Sequence, residues 1–231
     1  MLIHDQINPA KVTARSVVHS GAIFDIVRDS VDLGPAGVVH REYVDHPGAV
    51  AVIALDQDER ILLLRQYRHP VRAYLWEPPA GLLDIEGEPA HIGAARELYE
   101  EADLKADTWH VLTDYLTTPG GNNEAIRVFL ARGLHQIPEN ERHVRTDEEL
   151  GMQQQWVSID QGVQLVLSGL IHNPSAVVGI LAAHAARASQ WSTLREVTAP
   201  FPFRRDVPVA QQPLTLAGDS NSTQGTNPLT R

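Results

Sequence analysis

Cysteine is absent from this chain of 231 residues, which removes several kinds of chemistry at once. The protein can form no disulfide, bind no metal ion through thiolates and use no cysteine nucleophile. The sequence also lacks a P-loop, an H-E-x-x-H motif and a G-x-G-x-x-G that follows a strand. Its eleven histidines show no metal-binding spacing, so we interpret them as surface or core residues.

Long apolar runs are missing as well. No stretch approaches the roughly 18 apolar residues of a membrane span, and residues 1–15 have no apolar centre of signal-peptide length. We therefore expect a cytoplasmic protein. The formal net charge of −10 argues against a general binder of nucleic acids or membrane surfaces. A negatively charged substrate would then need local arginines or a metal ion.

The first part of the chain, residues 1–47, predicts a small antiparallel sheet. Its β-branched runs are broken by glycines and by a Gly- and Pro-containing turn at residues 34–37. The expected strands cover residues 12–19, 22–28, 31–33 and 38–44. A sheet of this size buries little surface by itself, so we expect it to pack against the main domain or against a second subunit.

Residues 48–203 predict a larger α/β domain. The continuous apolar run 49–55 is typical of a central strand that is buried on both faces. Further strands are expected over 61–67, 75–81, 109–116, 125–131 and 151–159. The polar stretch 133–148 predicts a long mobile loop, and such loops are often functional.

Two helices are expected near the end of this domain. Asp160 is predicted to cap the first, and Asn173 with Pro174 the second. His184 lies on the apolar side of the second helix and is interpreted as a packed core or interface residue. Residues 204–231 are rich in Ser, Thr, Asn, Gln, Gly and Pro, so we expect a disordered polar tail.

The densest chemistry lies in residues 81–104, which predict a loop followed by a short helix. Pro89 fits the first helical position. Apolar residues then recur at helical spacing and predict the buried stripe: Ile92, Ala95, Leu98 and Ala102.

Three glutamates share this helix, and we call Glu97, Glu100 and Glu101 the box acids. Neighbours three or four residues apart lie about 5–6 Å from each other on a helix, so their charges repel. A hard cation, Mg²⁺ or Mn²⁺, would relieve that repulsion. The alternative is a solvated acidic face without a metal ion.

Gly81, Glu88 and the run Arg96-Glu97-Leu98-Tyr99-Glu100-Glu101 together resemble the Nudix box, G-x5-E-x7-R-E-U-x-E-E-x-G-U, where U is apolar. Two positions depart from that pattern. Six residues separate Gly81 from Glu88, and Asp103 stands in place of the last glycine. Aspartate tolerates the left-handed conformation better than most residues, so Asp103 is compatible with a helix C-cap.

Flanking phrases extend the resemblance over roughly residues 12–200. They are GAIF at Gly21, HREYVDHPGAVAV at His40, QYRH at Gln66, LWEPPAGLLD at Leu75 and TTPGGNNE at Thr117. Together they are similar to the ADP-ribose pyrophosphatase branch of the Nudix hydrolases, in its actinobacterial form. The resemblance implies an α/β/α sandwich around a mixed sheet. It also implies a homodimer that exchanges the N-terminal antiparallel sheet.

The resemblance further implies Mg²⁺-dependent hydrolysis of ADP-ribose to AMP and ribose 5-phosphate, with Mn²⁺ as a substitute metal. The metal ligands would be the carbonyl of Ala80, Glu97 and Glu101, with Glu100 close behind. Arg96 would hold a box glutamate in place. Its alternative role is a simple ion pair with Glu100, four residues on.

The general base implied by the resemblance lies on the loop before the last strand. Aligned on Met152, Glu149 takes that position, and Glu148 beside it is the other candidate. A base on a loop can swing in once the substrate is bound. The alternative is an acidic loop without a catalytic role.

Three residues match substrate contacts of the same branch. Arg68 would meet a phosphate or ribose edge, Glu124 the terminal ribose, and Arg41 the nucleotide of a partner subunit. Each has a plain alternative as a surface charge or ion pair. Residues 121–123 differ from the usual pattern, which leaves the sugar preference open.

Two further functions therefore stand beside ADP-ribose hydrolysis. One is hydrolysis of another nucleoside diphosphate derivative. The other is a non-catalytic ADP-ribose sensor. The complete set of box acids and the lack of a helix-turn-helix pattern at the C-terminus argue against the sensor.

Overall fold

The computed structural model describes residues 3–144 and 151–204. Ten strands and three α-helices lie in that part of the chain. The strands are β1 Lys11–Ser20, β2 Asp25–Asp32, β3 Val38–Asp45, β4 Ala49–Ala54, β5 Arg60–Arg68, β6 Ala73–Glu77, β7 Ala80–Leu82, β8 Leu104–Leu116, β9 Ala125–Gln136 and β10 Gln153–Ser158. The helices are α1 Ala90–Ala102, α2 Ile159–Leu167 and α3 Pro174–Ala188.

Strand β4 lies at the centre of the layered core, and all six of its residues are buried. Alternate side chains of a strand point to opposite faces of the sheet. Val50 and Val52 pack in the apolar cluster that contains α1, whereas Ala51 and Ile53 pack in the cluster that contains α2 and α3. This arrangement confirms the predicted α/β/α sandwich and the strand buried on both faces.

The strand order confirms that the main sheet is mixed. Its four strands follow the order β7-β4-β9-β8, and β4 runs parallel to β9 while the other pairs are antiparallel. A second sheet, with the order β10-β5-β6, is antiparallel throughout. In this sheet Arg68 pairs with Ala73 and Glu77 with Leu64, at opposite ends of the β5–β6 pair.

The N-terminal sheet is antiparallel, as predicted, with the order β1-β2-β3. Strand β1 is exposed along its whole length. The sheet joins the main domain where β3 ends: the Val44 N–H donates to the Gly121 carbonyl at 3.0 Å, and the Asn123 N–H donates to the Val44 carbonyl at 3.3 Å. Backbone hydrogen bonds thus join the end of this sheet to the main domain.

Several predicted strand limits were wrong. Residues 25–32 form one strand, not two, and residues 22–24 precede it. The pair β8–β9 extends well beyond the predicted ends because Leu104 pairs with Gln136. The predicted loop 133–148 therefore begins later, after β9, and residues 145–148 lie outside the described chain.

Helix α1 also corrects the sequence prediction. Pro89 is its N-cap, with an extended ψ of 139°, instead of its first helical residue. Ile92 is 48% exposed, and Ala95 is only partly buried. The buried face is rotated toward small residues and two acids: Ala90, Gly93, Ala94, Glu97, Leu98, Glu101 and Ala102. Small side chains let the helix lie close to β7, and the acids face that strand.

Four other helix-related predictions had mixed outcomes. Asp103 caps α1 in the left-handed conformation, with φ 54°, as the sequence suggested. Ser158, not Asp160, caps α2 by accepting a hydrogen bond from the Gln161 N–H. Asn173 caps α3, as predicted. His184 is not a core residue, because its side chain is 46% exposed beside Asp160.

No helix in the described residues is long and apolar enough to span a bilayer.

A segment that we call the C-terminal strap, residues 195–204, returns across the main sheet. Arg195 exchanges two backbone hydrogen bonds with Val111 of β8, at 2.8 and 3.1 Å. Arg127 of β9, only 2% exposed, donates to Asp114 and to the carbonyls of residues 199 and 200. The ring of Phe201 lies 4.3 Å from the guanidinium carbon. One buried cation therefore holds the strap on the sheet.

Replacement of Arg127 by methionine should destabilise the protein strongly. The variant leaves the carbonyls of residues 199 and 200 without this donor and removes a partner of Asp114, although Arg195 still donates to that carboxylate at 3.0 Å. We expect the free energy of unfolding to fall by about 3 kcal/mol, measured by urea denaturation. The control is Arg60→Met, whose exposed pair with Asp56 should be worth less than about 1 kcal/mol. Equal losses in both variants would contradict this role of Arg127.

Candidate active site

The candidate site is built on the backbone of Ala80 and Gly81 in β7. Hydrogen bonds from the Val52 N–H to the Pro79 carbonyl, 2.8 Å, and from the Leu83 N–H to the Gly48 carbonyl, 3.0 Å, hold this edge strand on β4. Backbone groups alternate in direction along an antiparallel strand, so the N–H and carbonyl of Ala80 both face away from β4. The N–H donates to Glu101 Oε2 at 2.9 Å.

Glu97 reaches the same backbone. It and Glu101 lie one helical turn apart on the buried face of α1, and each is only 8% exposed. A Cβ atom on Gly81 would overlap the carboxylate of Glu97. The glycine therefore provides the space in which a buried carboxylate meets the chain. The structure thus brings together three of the predicted metal ligands: Ala80, Glu97 and Glu101.

Arg96 provides positive charge beside these acids. Its Nη1 donates to Glu97 Oε1 at 2.5 Å and to Glu100 Oε2 at 3.2 Å, and its Nε donates to Glu88 Oε1 at 3.3 Å. Burial lowers the pKa of Arg96, but its bonds and charge interactions with Glu88 and Glu97 outweigh burial and raise that pKa overall. Both alternatives from the sequence therefore occur together, because Arg96 contacts a box glutamate and also pairs with Glu100.

Glu88 is a site residue to which the sequence analysis assigned no role. Its side chain is only 11% exposed and shares Arg96 with the box acids. A Cβ on Gly93 would lie 2.8 Å from Glu88 Oε2, so the carboxylate packs directly on the backbone of α1. The Glu88 position in the box pattern was the signal that could have revealed this role.

In residues 3–144 and 151–204, no group of three or more His, Asp or Glu side chains is arranged to hold a metal ion by side chains alone. The contacts above give a reason. Glu97 and Glu100 are turned toward Arg96, and Glu101 toward the Ala80 N–H. The donor set is nevertheless all oxygen, and it suits a hard divalent cation once the Ala80 carbonyl is counted.

Arg68, a predicted substrate residue, is paired with a glutamate that the sequence analysis missed. Its Nε and Nη2 donate to the two carboxylate oxygens of Glu77, at 2.9 and 2.6 Å. The Glu77 side chain is 4% exposed, whereas that of Arg68 is 41% exposed. Glu77 thus fixes the direction of a guanidinium that is still open to solvent. A lone acid inside the apolar phrase LWEPPAG was the available signal.

Glu124 lies in a polar cluster where the N-terminal sheet meets the main domain. Thr117 Oγ1 donates to Glu124 Oε2 at 2.9 Å, and His46 Nδ1 lies 3.6 Å from Oε1. Asn123 donates to Asp45 at 2.7 Å and accepts from the His46 N–H at 2.8 Å. The unusual residues 121–123 therefore connect the two sheets, and Glu124 follows directly.

Arg41 lies on β3 opposite Asp29, and its Nη1 donates to the carbonyl of His40 at 2.9 Å. No described hydrogen bond or ion pair joins it to a box acid. Glu148 and Glu149 lie outside the described residues.

Comparison with known proteins decides the family. The NUDIX domain model matches residues 45–172. The chain belongs to the Nudix family. It is 48% identical over 168 residues to the ADP-ribose pyrophosphatase of Mycobacterium tuberculosis, covering 73% of this chain and 80% of that protein. It is 32% identical over 170 residues to the ADP-ribose pyrophosphatase of Bacillus subtilis, covering 74% and 90% respectively.

A solved structure supports the Nudix fold. The crystal structure of an ADP compounds hydrolase matches with a TM-score of 0.64 over 81% of this chain and 98% of that one, at 18% identity. The relatives confirm two predictions from the sequence: that the protein is a Nudix hydrolase and that it falls in the ADP-ribose pyrophosphatase branch. Nudix hydrolases generally use divalent metal ions, which agrees with the oxygen donors found here.

A cavity of about 580 Å³ lies apart from the Nudix box. The strap covers it against the ends of β8 and β9. Its lining residues are Asp5, Asp114, Tyr115, Leu116, Ala125, Arg195 and residues 199–203. No predicted site residue of the Nudix hydrolase is among them, so this cavity is separate from the candidate chemistry.

Tyr115, which lines this cavity, provides a pH-dependent signal. Burial raises its pKa to about 12, and the charges of Glu124 and Glu77 act in the same direction. Because the folded pKa lies above the unfolded value, this contribution to stability is complete below the unfolded pKa of about 10 and is lost as pH rises through 12. In a titration of tyrosine absorbance, we expect one late phenol that disappears in Tyr115→Phe. An unchanged late titration in that variant would contradict the assignment.

Replacement of Gly81 by alanine should force Glu97 away from β7. The added methyl overlaps a carboxylate that is held by Arg96 and by the packing of α1. We expect a loss of about 1–3 kcal/mol in the free energy of unfolding. Gly120→Ala is the matched control, since a Cβ there meets no atom within 4 Å. A Gly81 variant as stable as the Gly120 variant would show that Glu97 moves aside freely.

Proposed function

We propose that this Nudix hydrolase cleaves the diphosphate linkage of ADP-ribose to AMP and ribose 5-phosphate, using Mg²⁺, for which Mn²⁺ can substitute. The observation that carries the proposal is the 48% identity over 168 residues to an enzyme named ADP-ribose pyrophosphatase. The convergence of Glu97 and Glu101 on the Ala80–Gly81 backbone supports it, because it gathers oxygen donors in one place.

In this proposal the Ala80 carbonyl, Glu97 and Glu101 hold the metal, with Glu100 close to it. The cation would neutralise the diphosphate and acidify the attacking water. Arg96 is proposed to orient Glu97 and Glu100 and to balance their charge before the metal binds. Arg68, directed by Glu77, would bind a phosphate or ribose edge, and Glu124 would bind the terminal ribose.

Glu149 is proposed as the general base, with Glu148 as the alternative. The support comes from the described residues on either side of that loop. Before it, the Tyr99 hydroxyl of α1 donates to the Glu141 carbonyl at 2.6 Å. After it, Gln154 Nε2 of β10 donates to the Glu101 carbonyl at 3.4 Å. Both flanks therefore contact the helix that carries the box acids, so the loop starts and ends beside the proposed metal ligands.

We also propose a cytoplasmic homodimer that uses the N-terminal region, residues 1–47, beside a Nudix domain of residues 48–203. The exposed β1 strand supports a partner for this sheet. In such a dimer Arg41 would reach the nucleotide bound to the other subunit. Residues 204–231 would form a polar tail, although Arg204 itself belongs to the strap.

A second candidate keeps the chemistry and changes the substrate to another nucleoside diphosphate derivative. The observation that favours it is that residues 121–123 connect the two sheets. Asn123 donates a hydrogen bond to Asp45 and accepts one from the His46 N–H. These bonds fix the residue that directly precedes Glu124, the side chain proposed to bind the terminal ribose. Comparison of kcat/KM for ADP-ribose with that for other nucleoside diphosphate sugars separates the two candidates.

The proposed function is tested by measuring AMP formed from ADP-ribose and Mg²⁺. We expect turnover by the wild type, and losses on the order of 10²–10⁴-fold in Glu101→Gln and Glu149→Gln. Each change removes a carboxylate charge while keeping the size of the side chain. Glu139→Gln, at an exposed glutamate before the same loop, is the matched control and should retain activity.

The outcomes separate the parts of the proposal. A loss in Glu101→Gln without one in Glu149→Gln would move the base to Glu148, which Glu148→Gln then tests. Tight binding of ADP-ribose without AMP from the wild type would favour the sensor. Neither binding nor turnover of ADP-ribose would leave another nucleotide substrate as the better candidate.

A further inference from the structure

The C-terminal strap lies outside residues 45–172, the part matched by the family, and yet it reaches the Nudix box. Its path is held by named contacts. Arg195 pairs with Val111, and Arg127 binds the carbonyls of residues 199 and 200. Val197 and Phe201 pack against the apolar cluster that contains α1. The strap is therefore part of the layer that supports the box helix.

The last described residue of the strap, Arg204, contacts the box loop directly. Its Nη2 donates to the backbone carbonyl of Glu88 at 2.7 Å, across 116 positions of sequence. The Glu88 N–H donates to the Ile85 carbonyl at 3.2 Å, closing a turn in the loop before α1. Arg204 thus holds this turn at the residue whose side chain enters the site.

Glu88 is linked to the box acids through ion pairs with a common arginine. Its carboxylate shares Arg96 with Glu97 and Glu100. If Glu88 moves away, the guanidinium has only Glu97 and Glu100 as partners in this group. A cation must then compete with Arg96 for those carboxylates. The position of Glu88 should therefore set how readily the acids can accept a metal ion.

We propose that Arg204 is a positioning residue: by holding the Glu88 carbonyl, it keeps Glu88 paired with Arg96 and so leaves the box acids able to bind metal. The link from Arg204 to the loop stands on geometry alone. The link to metal binding rests on the proposed function of the box acids.

The first test is hydrogen–deuterium exchange on the full chain without metal. In Arg204→Gln we expect backbone amides of residues 83–88 to exchange about three- to tenfold faster than in the wild type, because their tie to the strap is lost. Arg204→Lys keeps a positively charged hydrogen-bond donor on a long side chain and should restore part of the protection. The control, Arg187→Gln, removes the ion pairs that Arg187 of α3 makes with Asp160 and Glu59, and it should leave these amides unchanged.

The second test measures Mn²⁺ affinity by electron paramagnetic resonance. Arg204→Gln should weaken binding roughly tenfold, as substitutions behind metal ligands commonly do. The same change in a Glu88→Gln background should have little further effect, since Arg204 acts through the Glu88 side chain. At saturating metal, KM for ADP-ribose should stay within about twofold of the wild-type value, which a general loss of folding would not produce.

Unchanged exchange in Arg204→Gln would overturn the proposal at its first step. Unchanged Mn²⁺ affinity, no Mn²⁺ binding by the wild type, or an effect of equal size in the Glu88→Gln background would overturn the link to the acids. Failure to hydrolyse ADP-ribose would be a failure of the proposed substrate alone, because exchange and Mn²⁺ binding need no substrate.

Discussion

The site depends on two carboxylates that are buried against the backbone of β7. Glu97 and Glu101 are each 8% exposed and face the Ala80–Gly81 segment. Removing charged groups from water is costly unless they are paired or hydrogen-bonded. Arg96 and the Ala80 N–H supply that compensation. The same oxygens are the ones proposed to bind a hard cation.

The rest of the Nudix fold keeps this small region fixed. Strand β4, buried on both faces, positions β7 through backbone hydrogen bonds and supports α1 through Val50 and Val52. Gly81 lets the helix and the edge strand approach within the reach of a carboxylate. Small residues on the inner face of α1 allow the same close approach along the helix. Packing and electrostatics therefore depend on each other here, since neither Glu97 nor Glu101 could reach β7 from a more distant helix.

Several ion pairs in this structure join a buried side chain to one that is more exposed to solvent. Buried Glu77 directs the more exposed Arg68, and the nearly buried Glu88 shares Arg96 with the box acids. Buried Arg127 holds both Asp114 and the strap. In each case a buried charge fixes the geometry of a partner, and breaking such a pair costs more than breaking an exposed one. The strap contacts the box loop through Arg204, and residues 121–124 join the N-terminal sheet to the main domain.

The sequence by itself determined the local features: the spacing of the box, the αL cap at Asp103, the buried run of β4 and the antiparallel N-terminal sheet. Those features depend on neighbours in the chain, so periodicity and pattern predict them. Only the tertiary structure decided which face of α1 is buried, because that depends on where β7 lies, and Ile92 and Ala95 were consequently misassigned. It alone also revealed the pairing of Glu77 with Arg68 and the contact between Arg204 and Glu88. Pairs such as the latter, 116 positions apart, leave no periodic signal in one sequence, since the chain brings them together only after the sheet and helices have packed.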